Sequence, residues 1–198
     1  MSLLEQFTDV VLKQALPQAS QKTGVDPDAA GQVMPVVVGA LLNGLQKNAS
    51  QVNGAEALAS ALEKHDGSLL NSLNKLSDDK IMSDGQKIIT HILGAKKEET
   101  ETMLAKTAGI EPNQVSTLMA MAAPALLAML GREKNEKGLD AAALAGLVTE
   151  ETTRVKQDAP AAMSGILGLL DKDGDGSVTD EILEAAGKRL FGSIFRKR

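Results

Sequence analysis

Two apolar runs set the pattern of this chain: VMPVVVGALLNGL at 33–45 and LMAMAAPALLAMLG at 118–131. Both fall short of the ~20 residues that a spanning helix needs, so they read as buried core helices. Around them, apolar residues recur at helical spacing. The periodicity predicts helices over 2–22, 27–46, 55–64, 67–76, 83–94, 96–107, 112–130, 139–157, 160–170 and about 180–192. The helix at 83–94 reads as capped by Ser83 and stopped by Gly94. Pro35 and Pro124 lie inside apolar helices, where the missing N–H and the ring should kink or break them. QKNASQVNG (46–54) and REKNEKG (132–138) read as polar connections rich in Asn and Gly. Strand formers are sparse outside the valines at 36–38. The expected fold class is all-α and multihelical.

Shifting the chain by 85 positions lays GVDPDAAGQVMPVVVGALLNGL (24–45) over GIEPNQVSTLMAMAAPALLAML (109–130) without a gap. Gly24/Gly109, Pro27/Pro112, Met34/Met119 and Ala40/Ala125 coincide. Each block opens on a glycine suited to a left-handed helix stop. An acid follows, Asp26 or Glu111, and then a proline at the first helical position. The match predicts a duplicated helical domain over 1–158, with repeats of about 1–82 and 83–158 and the apolar helices packed at its centre. Residues 159–198 read as an EF-hand-like helix-loop-helix with a basic tail, packed on the same domain.

TGVDP…MPVVVGALL, DGQKIITHILG, AGIEP…LMAMAAPALLAMLG and KGLDAAALAGL occur in that order. Together they resemble the bacterial YidB-like family, domain-of-unknown-function family 937. The resemblance covers nearly the whole chain and implies a multihelical, duplicated fold. It implies no activity and brings no catalytic residues with it.

Composition changes the picture in two ways. The absence of cysteine excludes disulfides, thiolate catalysis and cysteine-ligated metals. The scarcity of aromatics, three Phe with no Trp or Tyr, leaves the core to aliphatic residues and eight Met. Met34, Met119, Met121, Met129 and Met163 read as core filling, with an adaptable partner groove as the sharper alternative. Net charge is −5, which argues against nucleic-acid binding. The start MSLLEQFTDVVLKQ lacks a basic leader, so a cytoplasmic location is expected.

Charge segregates near the end of the chain. Acids dominate 171–184, whereas 185–198 holds five basic residues and no acid. Within LLDKDGDGSVTDEILE, Asp171, Asp173 and Asp175 fall at positions 1, 3 and 5 of an EF-hand loop, with Gly176 at the sharp turn. The Ser177 carbonyl stands at position 7 and Thr179 at position 9. Position 12, normally a bidentate glutamate, is Ile182; Asp180 or Glu181, one or two residues early, would complete the shell. Three aspartates spaced by two repel one another unless a cation joins them. Glycine turns and a capping box from Ser177 to Asp180 are the metal-free alternative. The pattern favours a calcium site of weak to moderate affinity.

Nothing else in the sequence announces chemistry. The two histidines, His65 at the end of the predicted helix 55–64 and His91 within 83–94, are far apart in sequence and read as structural. No phosphate-binding, dinucleotide or nucleophile-elbow pattern is present, so a non-enzymatic protein is expected. In the tail GKRLFGSIFRKR, Leu190, Phe191, Ile194 and Phe195 are spaced for one helix face among basic residues. That is the alternative reading: an adaptor contacting a membrane surface or protein partner through its tail, with the loop only a turn.

Overall fold

The computed structural model describes residues 3–15, 17, 20 and 24–158. The predicted helices at 160–170 and 180–192, the aspartate loop and the basic tail lie outside the described residues. Seven α-helices and no strand are present among the described residues: α1 (Leu3–Phe7), α2 (Pro27–Ala49), α3 (Gly54–Ala61), α4 (Asp79–Leu93), α5 (Lys97–Ala108), α6 (Pro112–Lys137) and α7 (Ala141–Asp158). The all-α expectation holds.

The two apolar helices start in the same way. Gly24 and Gly109 both take left-handed backbone, φ +71° and +66°, and Pro27 and Pro112 open α2 and α6. The capping chemistry differs. Asp26 Oδ1 accepts from the N–H groups of Asp28 and Ala29 at 3.0 and 2.9 Å. At the second start, Gln114 Oε1 accepts from the Glu111 N–H at 3.1 Å.

α6 is the axis of the packing. It is buried without interruption from Leu118 to Gly131, as a helix apolar on every side must be. α4 and α5 lie against α6, while α7 packs on α2 and α3. α1 reaches α6 and α7, placing Leu3 and Phe7 in the core. Its N-terminus is tied to α7 by a hydrogen bond from the Leu3 N–H to Glu151 Oε2 at 2.8 Å.

Several boundaries differ from expectation. Within the opening segment the α-helix ends at Phe7, and Thr8–Ala15 is π-helical. Ser83 is no cap: α4 begins four residues earlier, at Asp79, after an extended Asp78 (φ −74°, ψ 141°). That start lets Ile81 and Met82 join Ile88, Ile89 and Ile92 against the core. The segment predicted as a helix at 67–76 is 3₁₀ over Ser68–Lys75 and broken at Ser72. REKNEKG is not a connection, since α6 runs through it to Lys137 and stops at Gly138. Ion pairs one turn apart, Arg132–Glu136 at 3.1 Å and Glu133–Lys137 at 2.5 Å, suit that extension.

Neither internal proline breaks its helix; α2 continues through Pro35 and α6 through Pro124. The apolar runs proved longer as helices than as bare sequence. At 23 and 26 residues, α2 and α6 are long and apolar enough to cross a membrane, which corrects the expectation that they fall short. In this fold 61% of the apolar window of α2 and 83% of that of α6 are buried.

Candidate functional site

The predicted metal ligands, Asp171, Asp173, Asp175, Ser177, Thr179, Asp180 and Glu181, all lie outside the described residues. Among the described residues, no group of three or more His, Cys, Asp or Glu is placed to hold a metal ion.

A different site is built by the helical body. The two histidines, which sequence spacing gave no reason to connect, line one cavity of about 430 Å³. Its walls come from α2, α3, α4 and α6. Leu45, Leu58, Ile88, Ile92 and Leu127 supply most of the apolar surface, and Asn48, His65, Lys87 and His91 supply the polar groups. Ala57 and Ala61 line it on α3 and are exposed, so the cavity opens to solvent along that helix.

Each polar residue has an identifiable reason for its place. Lys87 and His91 are four residues apart on α4, so both fall on one helix face. His65 ends the 3₁₀ turn after α3, and its carbonyl lies against Gly131 of α6. A Cβ at position 131 would stand 1.8 Å from that oxygen, so only glycine allows the approach. Gly67, with φ +98°, then turns the chain against Arg132. Between them Asp66 Oδ1 accepts from the Ser68 N–H at 2.9 Å. That hydrogen bond holds the Asp66 carboxyl below its ordinary 3.8, with smaller help from the Ser68 side chain.

Asn48 acts as a strap rather than a free donor. Its Nδ2 donates to the carbonyls of His91 and Ile92 at 3.3 and 3.2 Å, tying the end of α2 to the end of α4. It satisfies carbonyls that the end of α4 leaves without helical partners.

On the other side of Asn48, His91 and Ile92 lies a second cavity of about 400 Å³, which includes Lys47 and Lys96. Among the described residues, every ionisable one lining either cavity is basic: Lys47, His65, Lys87, His91 and Lys96. In a chain of net charge −5 this is a local reversal of sign.

The α4 part of the site was present in the sequence as KIITHI, with Lys87, Ile88, His91 and Ile92 at helical spacing. His65 could not have been added to it, because its approach depends on how the turn after α3 packs on α6.

No curated protein and no solved structure matches the chain. The profile of DUF937 matches residues 5–133, a span that takes in every described residue lining the two cavities and stops short of the aspartate loop. The chain belongs to this family of bacterial proteins of unknown function.

Proposed function

We propose that this DUF937 member is a cytoplasmic, non-enzymatic protein that binds calcium through an EF-hand-like loop at 171–182. The observation that carries the reading is the alternation of Asp171, Asp173 and Asp175 ahead of Gly176. Three carboxylates so spaced supply hard oxygen ligands and repel one another without a cation. The Ser177 carbonyl and Thr179 extend the shell, and Asp180, with Glu181 behind it, takes the place of the acid missing at Ile182. Calcium would neutralise this acidic segment, either stabilising the C-terminal end or regulating contact with a protein partner. The closer likeness to YidB-like proteins rests on the ordered sequence motifs.

Calorimetric titration of the full chain tests the proposal. With no competing cluster among the described residues, uptake of one calcium reports on the loop. The expected Kd lies in the roughly 10⁻⁵–10⁻³ M range of weaker sites. Calcium should raise the melting temperature by mass action, and D171A/D173A should abolish both effects. No uptake at millimolar calcium, with D171A/D173A melting as the unmutated chain does, rejects the proposal.

A further inference from the structure

We infer that the cavity between α2, α3, α4 and α6 binds a single-chain, medium-length carboxylate, with its tail inside and its head at Lys87, His91 and His65. The tail is assigned by the walls. The lining is mostly apolar, and the volume of about 430 Å³ lies within the range of small-molecule pockets. At roughly 30 Å³ for each water-sized group, it takes a chain of about eight to twelve carbons, allowing for its open side.

The head is assigned by the rim. Among the described residues of the lining, the ionisable groups are two imidazoles and an ammonium, with no carboxylate and no hydroxyl side chain. The remaining polar side chain, Asn48, already donates its amide to the carbonyls of His91 and Ile92. A cationic head would meet bases at these described positions, whereas a carboxylate gains charge-assisted hydrogen bonds. A neutral alcohol would gain less. Lys87 and His91 are exposed, so the head stays near water while the tail is covered, the usual division for an amphipathic ligand. The exposed Ala57 and Ala61 leave the mouth open. Entry therefore needs no unfolding.

Calorimetry of the full chain with hexanoate, octanoate and decanoate, all below micelle formation, tests this. Affinity should rise about fourfold per added methylene, and decylammonium and decanol should bind at least about tenfold more weakly than decanoate. Ala61→Phe, at an exposed position, should fill the mouth and abolish binding while melting stays cooperative. Lys87→Gln, also exposed, should weaken decanoate at least about tenfold and leave decanol unchanged. The inference is overturned by absence of saturable decanoate binding, by affinity independent of chain length, or by decylammonium matching decanoate. Insensitivity to Lys87→Gln would overturn it equally, whatever Ala61→Phe does to the fold.

Discussion

The backbone of Gly85 in α4 lies directly on the carbonyl of Ala120 in α6. A Cβ at position 85 would stand 1.9 Å from the Ala120 oxygen and 2.7 Å from its carbon. Ala120 is four residues before Pro124, which has no N–H to donate, so this carbonyl loses its ordinary helical partner. The Gly85 hydrogen in the Cβ direction points at it, the arrangement of a weak Cα–H···O contact. A helix-weakening glycine on α4 and a proline within α6 are thus two halves of one close crossing.

Gly85→Ala should destabilise the protein by about 3 kcal/mol or more, since the clash is with backbone and cannot be relieved by a rotamer. Gly31→Ala is the contrast: among the described residues nothing lies within 4 Å of its added Cβ, and α2 is helical there. It should stabilise by about 0.5–1 kcal/mol. Chemical denaturation of the two variants checks both signs, and equal effects would refute the assigned crossing.

Glu151 anchors the beginning of the chain. It is only 5% exposed, accepts from the Leu3 N–H at 2.8 Å and receives Arg154 Nη1 at 3.2 Å. Glu151→Ala leaves a buried donor unmatched and should cost about 1–3 kcal/mol. Glu151→Gln, which keeps an acceptor, should cost less. Hydrogen exchange gives a local readout: amides of α1 should lose protection in the alanine variant before those of α6.

Asp26→Ala should cost about 1 kcal/mol, because its Oδ1 serves two N–H groups at the start of α2. Asp26→Asn should restore most of that loss. Thermal melting of the pair separates capping from charge, and an unrescued asparagine variant would point to charge instead.

Asp66 yields a pH dependence. Its carboxyl is held below 3.8 chiefly by the Ser68 N–H, so the folded state favours the carboxylate. A depressed pKa contributes stability that is present above the unfolded value and is lost as pH falls through the native one. Asp66→Asn retains an acceptor but not the charge. The unmutated chain should therefore be the more stable of the two above pH 3.8, with the gap closing below it. Melting curves across this window give the test.

The fold class and much of the helix register were legible because they depend on local chemistry. Gly24, Gly109, Pro27 and Pro112 act within a few residues of themselves, and the geometry expected at both helix starts is found. Boundaries failed where local signals competed. Ser83 has the composition of a cap, yet packing of Ile81 and Met82 draws α4 back to Asp79. REKNEKG looked like a connection because it is polar, but its charges pair at i,i+4 and Gly138 gives the stop.

By itself the sequence determined an all-helical chain with two glycine–acid–proline starts, and it supplied the aspartate spacing on which the calcium proposal rests. Only the tertiary structure decided that His65 and His91 share a cavity, that the ionisable residues described in its lining are all basic, and that Gly85 and Gly131 are points of closest approach. Helix starts and ligand spacing are short-range properties of consecutive residues. A cavity is the space left after distant helices pack, and its shape is set by contacts whose partners no local pattern names.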